Sequence, residues 1–240
     1  TDLYLLNMQG NDQYYVNIEG KRFENRSREV FPRTSWGAMG IKSFDHDNDG
    51  DMDLLGAYMY ESMIVWWENA AGDASVWTEH FVDIAYTDAM AVAAADMDGD
   101  GDLELLVGDQ VGSPSPATRV YAWHHEGPAV TGWPVGPIWS INAQVAVADI
   151  DGDGDIDIVT NAFIWPPPGI QVYLNNGNGT FALDNSRIPQ YEYLPGQFTG
   201  VHGKLWIELL DVDNDGDLDL FIAGNAPEEH YIALNNGSGN

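Results

Sequence analysis

The chain has no cysteine and very little positive charge. With no Cys among its 240 residues, it can form no disulfide, no thiolate metal site and no cysteine nucleophile. Only 9 Lys and Arg oppose 38 Asp and Glu, which gives a formal net charge of -29 at pH 7. A charge of this sign and size repels the phosphate backbone of nucleic acids and anionic membrane surfaces, so nucleic-acid binding is excluded.

Long hydrophobic runs and helical periodicity are also missing. No apolar run approaches the roughly 18 residues that a membrane-spanning helix needs, so no membrane insertion is expected. No segment of ten residues shows the hydrophobic period of an amphipathic helix. The chain begins at Thr1 without a signal-like segment, which we interpret as a mature chain or a fragment. A hydrophobic content of 44% nevertheless predicts a folded protein.

The acidic residues are concentrated in four segments of the form D-x-D-x-D-G-D-x-[DE]. These segments occupy residues 45–53, 96–104, 149–157 and 211–219, and each of them carries five carboxylates. Their starting points are 51, 53 and 62 residues apart, a period typical of repeat architectures. One short apolar run precedes each segment and two follow it, with turn residues between them, which predicts strands.

Four antiparallel strands in a unit of about 50 residues describe one blade of a β-propeller. The fourth strand is clearest at residues 173–181, where an Asn-Gly pair joins two strand-like runs. The first strand of two units, at 91–95 and 145–148, consists of small residues, as expected where innermost strands converge on a crowded axis. The predicted fold class is therefore all-β, a β-propeller of four-stranded antiparallel blades.

The acidic loop between two apolar strands, together with the sequence Y-L-N-N-G-N-G-T-F at 173–181, resembles the FG-GAP/VCBS repeat. That repeat builds the propellers of integrin α chains, certain fungal lectins and many secreted bacterial proteins. The resemblance implies calcium ligands at loop positions one, three, five and nine and at the backbone carbonyl of position seven. Seven blades are usual for the family, so the resemblance also implies that this chain is a segment of a larger propeller.

The chemistry of the loops independently favours calcium. Carboxylates at alternating positions, without His or Cys among them, select Ca²⁺ over zinc or copper, and Gly at position six permits the sharp turn that directs them to one centre. An EF-hand is excluded because it needs Glu at position twelve, where this chain has Gly56, Val107, Thr160 and Ile222. About four calcium ions are expected, one per loop, and Glu104 is kept as a ligand because it still offers a carboxylate.

The predicted metal residues are the five acids of each loop. They are Asp45, Asp47, Asp49, Asp51, Asp53, Asp96, Asp98, Asp100, Asp102, Glu104, Asp149, Asp151, Asp153, Asp155, Asp157, Asp211, Asp213, Asp215, Asp217 and Asp219. His46, at a non-ligand loop position, is expected to be exposed. His124 and His125 follow a strand end, and either a groove-facing metal or catalytic role or a purely structural role fits that position.

The repeats divide the single domain of 1–240 into a partial blade at 1–35, blades at 36–88, 89–142 and 143–204, and a partial blade at 205–240. Residues 1–7 resemble the strand that follows a loop, and their own loop would lie upstream. Both ends therefore look cut within a blade. A segment of a larger propeller is favoured over a self-contained four-bladed ring, and further blades or domains of the same parent protein are expected partners.

Two functions fit this architecture. Calcium sites of extracellular affinity would be empty in the cytosol, which predicts an extracellular or cell-surface protein, with the periplasm as the alternative. We predict a non-catalytic, lectin-like module for glycan or protein recognition and adhesion; the alternative is the propeller scaffold of a secreted polysaccharide-degrading lyase or hydrolase. No catalytic residue is assigned, since no Ser-His-Asp order, nucleophile elbow or phosphate loop is present.

Partner contacts are expected from loops that differ between the repeats. These loops are 110–118, 162–169 and 185–203. Trp133 and Trp165 lie in Pro-rich segments between strands, where stacking against a sugar and packing of the loop itself are the two available roles. Trp206, in contrast, is expected to pack between two sheets.

Overall fold

The computed structural model describes most of the chain as β-structure. The described residues are 2–7, 10–31, 38–84, 86, 88–115, 118–124, 129–138, 140–142, 144–161, 170–184, 186, 206–223 and 230–236. They form eighteen strands in five antiparallel sheets and one helical turn. Within this part of the chain no helix is long and apolar enough to cross a membrane.

The five sheets follow one another along the chain. The first contains β1 (Leu3–Leu5), β2 (Gln13–Ile18) and β3 (Arg22–Asn25), and helix α1 (Ser27–Val30) follows it. The second contains β4 (Ala38–Phe44), β5 (Asp53–Tyr58), β6 (Met63–Glu68) and β7 (Thr78–Asp83). The third contains β8 (Ala89–Ala95), β9 (Glu104–Ser115), β10 (Val120–Trp123) and β11 (Ser140–Asn142). The fourth contains β12 (Val145–Ala148), β13 (Asp157–Asn161), β14 (Ile170–Asn175) and β15 (Phe181–Leu183). The fifth contains β16 (Trp206–Leu210), β17 (Asp219–Ala223) and β18 (His230–Ala233).

Four of the sheets are simple meanders in which each strand pairs with the next one along the chain. Each sheet lies inside one of the five ranges predicted from the repeats, although the division into blades stays a prediction. The all-β class with antiparallel sheets of three or four strands is confirmed. In the second to fifth sheets, the strand that follows the acidic loop is the second strand of its sheet. Strand β1 pairs with β2 as those second strands pair with the third strands of their sheets.

The third sheet departs from this pattern. Strand β9 pairs with β8 and β10 through its first half, and its second half continues to Ser115 and pairs with β11. Residues 110–115 are therefore strand, not the variable loop that the sequence predicted for 110–118. The place beside β10 is taken by the segment 129–138, which forms isolated bridges from Val135 to Val120 and from Ala129 to Trp123.

The first strands of successive sheets lie against one another. Strand β4 contacts β8, β8 contacts β12, and β12 contacts β16. Lys42 Nζ on β4 lies 3.5 Å from Glu208 Oε1 on β16, so an ion pair joins the first and last members of this series. The small residues predicted to converge, such as Ala91 and Ala93 of β8, are buried there.

The core consists of four hydrophobic clusters, each lying between two neighbouring sheets. Side chains alternate across a strand, so β5 sends Leu54 and Tyr58 into the cluster shared with the first sheet, and Leu55 and Ala57 into the cluster shared with the third. All six residues of β5 are buried. Burial on both faces explains the continuous apolar runs that follow the acidic loops.

A buried carboxylate in the first sheet should make stability depend on pH. Asp12 is only 1% exposed, and its Oδ1 accepts a hydrogen bond from the Asn7 backbone N–H at 2.7 Å. Burial raises the pKa of Asp12 from 3.8 to about 6. Between these two values the folded protein holds a proton that the unfolded chain releases, so this residue's contribution to stability falls as the pH rises.

We therefore expect Asp12→Asn to become more stable relative to the wild type as the pH increases from 4 to 7. The change amounts to at most about 3 kcal/mol, since one unit of pKa corresponds to about 1.4 kcal/mol. Urea unfolding of both proteins at the two pH values measures it. A difference in unfolding free energy that is the same at pH 4 and pH 7 would contradict the prediction.

Candidate metal centres in the acidic loops

Each acidic segment connects the first strand of a sheet to the second and adopts the same turn. Position six is a glycine with φ between 94° and 97° in all four loops, at Gly50, Gly101, Gly154 and Gly216. Position four also has positive φ, at Asn48, Gly99, Gly152 and Asn214. This left-handed conformation is open to Gly and tolerated by Asn, which explains why only these two residue types occur at position four.

The aspartate at position one holds this turn closed. Asp45 Oδ2 accepts a hydrogen bond from the Gly50 N–H at 3.0 Å, and the equivalent bond recurs in the other three loops at 3.0 to 3.2 Å. One carboxylate oxygen is thus committed to the backbone. The other oxygen of Asp45, Oδ1, is buried and accepts no hydrogen bond.

The acid at position nine is buried and joins two distant parts of the backbone. Asp53 Oδ2 accepts the His46 N–H at 3.0 Å, and Asp53 Oδ1 accepts the Asn69 N–H at 2.7 Å. The same two bonds, from loop position two and from the end of the third strand, are made by Asp157 and Asp219. Each of these three side chains is at most 1% exposed.

Burial has an electrostatic consequence at position nine. Desolvation raises the pKa of Asp157 to about 6, despite the two N–H donors that favour its charged form. The nearby carboxylates of Asp151 and Asp153 raise it further. The loop therefore concentrates negative charge around this buried acid.

In three loops the carboxylates of positions one, three and nine come together, with one oxygen of each lying within 4.8 Å of the others. These groups are Asp45, Asp47 and Asp53; Asp149, Asp151 and Asp157; and Asp211, Asp213 and Asp219. The donors are all hard carboxylate oxygens, and Asp45 Oδ1 has no hydrogen-bond partner. The residues present therefore fit a metal ion of the calcium type.

The remaining predicted ligands of these three loops lie outside the groups. At position five, Asp49, Asp153 and Asp215 each accept the N–H of position seven at 2.9 to 3.0 Å. At position seven, the carboxylates of Asp51 and Asp155 lie against Gly72 and Gly177, in the turn after the third strand. Position seven thus supports the neighbouring turn with its side chain.

The second loop is built differently. Asp96, Asp98 and Asp100 form one group, while Asp98, Glu104 and His124 form another. Glu104 Oε2 keeps the bond to loop position two, from the Met97 N–H at 2.8 Å, but Glu104 Oε1 lies 3.2 Å from His124 Nδ1. In the strand register His124 lies opposite Glu104, where the other three sheets have Glu68, Leu174 and Leu234, one residue before Asn69, Asn175 and Asn235.

Two of the asparagines, Asn175 and Asn235, also link one sheet to the next. Asn175 Nδ2 donates to the carbonyl oxygen of Met97, in the loop of the preceding sheet, at 2.9 Å. Asn235 Nδ2 makes the equivalent bond to the Ile150 carbonyl at 3.2 Å. The sequence analysis missed this connection, and it also missed Asp2, whose Oδ1 accepts the Asn17 N–H at 2.8 Å just as a position-nine acid does.

Several other expectations can be compared with the structure. His46 is 1% exposed, which makes its predicted exposure wrong: its ring centroid lies 4.2 Å from that of Trp66, and Met97 and Ile150, at the same loop position, are also buried between sheets. Trp206, expected to be packed, is 54% exposed on β16. Trp133 packs edge-to-face on Phe181 at 5.2 Å, and Trp165 lies outside the described residues, as does His125. A ligand role for the two tryptophans stays a prediction.

The link between sheets can be tested by removing one asparagine side chain. We expect Asn175→Ala to lower the free energy of unfolding by about 1–3 kcal/mol, because it leaves the buried carbonyls of Met97 and Ile156 without their donor. Asn178→Ala is the matched control in the same turn, since among the described residues the Asn178 side chain bonds to the exposed Thr180 alone. Equal losses in urea unfolding would argue against the link.

The comparisons with known proteins agree with the sequence motif. The model of the FG-GAP-like repeat matches residues 1–56 and 45–107, while no curated protein matches the chain. Ten chains of solved structures match, among them the crystal structure of the V. cholerae biofilm matrix protein Bap1, with 19% sequence identity and a TM-score of 0.39. The match covers 87% of this chain and 41% of Bap1, so the chain spans less than half of that protein's structure. The resemblance inferred from the loops is confirmed, and the chain contains FG-GAP-like repeats across residues 1–107.

Proposed function

We propose that this chain is a calcium-stabilised FG-GAP-like propeller module that mediates recognition or adhesion outside the cell. The observation that carries the proposal is the convergence of three carboxylates in each of three loops, with their oxygens within 4.8 Å of one another. Such a group is electrostatically unfavourable alone and becomes a ligand set when a divalent cation is present. Hard oxygen donors favour Ca²⁺ among the common divalent ions.

The affinity expected of such sites suggests where the protein works. Extracellular calcium modules bind at about 0.1–1 mM, a concentration that the cytosol does not provide. Filled sites would therefore belong to an extracellular or cell-surface protein, with the periplasm as the alternative. At about 1 mM calcium, a few such sites together contribute on the order of 2–6 kcal/mol, a large part of a typical total of about 5–15 kcal/mol.

The packing of the sheets supports a propeller. The first strands contact one another in sequence from β4 to β16, and a hydrophobic cluster fills each space between neighbouring sheets. In a propeller the first strands surround the axis and the sheets radiate from it. The ion pair between Lys42 and Glu208 fits side chains that face this axis. We propose that the chain forms part of a larger, seven-bladed ring.

Recognition is assigned to the parts of the repeats that differ. The acidic loops repeat one turn, and their carboxylates are engaged with backbone N–H groups and with one another, which suits a structural ion. The third sheet carries an extension of its own, in which β9 pairs with β11. Loops and insertions on one face of a repeat array commonly form its binding surface, and a glycan or an extracellular protein is the proposed partner.

Calcium binding is tested by comparing two aspartates of the same loop. We expect Asp151→Asn to remove one calcium ion per chain, because Asp151 belongs to the group with Asp149 and Asp157. Asp155→Asn should leave the calcium content unchanged, because Asp155 lies against Gly177 outside that group. Metal analysis after exhaustive dialysis in a calcium buffer measures both. The wild type should also melt at a lower temperature after chelation, and superimposable melting curves would refute the calcium assignment.

The recognition proposal needs a test that is independent of metal. We expect the calcium-loaded chain to bind members of a glycan array without cleaving them, and Trp165→Ala to weaken that binding with the calcium content unchanged. Trp206→Ala is the control, since it removes an exposed tryptophan from a strand instead of a variable loop. Release of reducing or unsaturated sugar ends would support the enzyme-scaffold alternative instead.

A further inference from the structure

The third sheet differs from the other repeats at Glu104, in its acidic loop, and at His124, directly after β10, and these two residues face each other. Position nine holds Glu104 in place of Asp, and the end of the third strand holds His124 where the other sheets have Glu68, Leu174 and Leu234. Antiparallel pairing of Leu105 with Trp123 brings them side by side, although 20 positions separate them along the chain. The replacements therefore form one local site.

Glu104 retains the structural bond of position nine while presenting its second oxygen to the imidazole. Its Oε2 accepts the Met97 N–H at 2.8 Å, as the aspartates of the other loops do for their own position two. Its Oε1 lies 3.2 Å from His124 Nδ1, whereas the second carboxylate oxygen of Asp53, Asp157 and Asp219 accepts a backbone N–H. The loop is thus still anchored, and a nitrogen ligand has been added to it.

A third donor completes the group. Asp98 contributes a carboxylate oxygen that lies within 4.8 Å of the donor atoms of Glu104 and His124. Asp98 Oδ1 is buried and accepts no hydrogen bond, so a donor atom in this loop is still available to an ion. The Glu104 side chain is fully buried, whereas that of His124 is 33% exposed, which leaves access from solvent on the imidazole side.

We infer that Asp98, Glu104 and His124 bind Zn²⁺, so that the second loop takes a different metal from the all-aspartate loops. Zinc accepts imidazole nitrogen together with carboxylate oxygen, and three protein ligands with a water at the fourth position form a common zinc site. Calcium, in contrast, takes six to eight oxygen ligands. Asp98 also belongs to the all-oxygen group with Asp96 and Asp100, so calcium and zinc compete for that one carboxylate.

The test uses Zn²⁺ as the probe while calcium occupies the other loops. The full chain is stripped of metal and returned to saturating calcium, and Zn²⁺ is then titrated in competition with a chromophoric chelator. We expect one zinc ion per wild-type chain and at least tenfold weaker binding for His124→Asn. His80→Asn is the matched control: His80 Nε2 also lies close to a glutamate, 2.8 Å from Glu68 Oε2, but the pair belongs to none of the ligand groups found among the described residues.

Two further measurements keep the outcome independent of folding defects. Cobalt(II), bound to the wild type as a spectroscopic substitute for zinc, should show the absorption of a low-coordinate site with a nitrogen ligand. The double variant Glu104→Asp/His124→Leu gives the second loop the residues that the fourth sheet has at these two places, Asp157 and Leu174, and should exchange zinc for an additional calcium ion. Zinc binding that is unchanged in His124→Asn, or a wild type that takes calcium but no zinc, overturns the inference. A wild-type chain that binds zinc but takes up no calcium in the other three loops would instead refute the proposed calcium function.

Discussion

The buried acid at position nine is the interaction on which the rest of the repeat depends. In three sheets its carboxylate accepts one N–H from the loop and one from the end of the third strand. One side chain thereby fixes the turn between the first two strands and its position beside the third. Placing a charge where it is at most 1% exposed is costly, and the two N–H donors offset only part of that cost, as the raised pKa of Asp157 indicates. The gathering of two further carboxylates beside it is the arrangement that a divalent cation stabilises.

Neighbouring sheets are coupled through the same loops. The asparagine at the end of the third strand, Asn175 or Asn235, donates its backbone N–H to the position-nine acid of its own sheet. Its side-chain amide donates to a backbone carbonyl in the loop of the preceding sheet. Position two of that loop offers the carbonyl and sends its side chain, such as Met97 or Ile150, into the core between the two sheets. The residue at loop position two therefore makes both a polar and an apolar contact with the next sheet. The conformation of each loop is thus linked to the packing of the sheet that follows it.

A frame that repeats so closely allows individual loops to change their chemistry. The second loop keeps the glycines, the turn and the bond to Met97, yet it has Glu104 in place of Asp and faces His124 at the end of β10. The third sheet likewise keeps the pairing of its first three strands, β8, β9 and β10, and adds an extension of β9 that pairs with β11. Variation at these points leaves the anchoring bonds intact because those bonds use backbone N–H groups, which do not depend on the identity of the side chain at the donor position.

The sequence by itself determined the local features of this protein. The spacing of Asp and Gly defined four turns, and the apolar runs on either side defined the strands, because turn conformation and strand alternation depend on neighbouring residues. Tertiary structure decided which distant residues meet. The register of β9 and β10 places His124 beside Glu104, and packing between sheets buries His46 while it leaves Trp206 exposed. It also separated the acids by position: Asp149, Asp151 and Asp157 converge into one candidate ligand group, whereas Asp155 lies against Gly177, a glycine more than twenty residues away that the loop sequence could not identify.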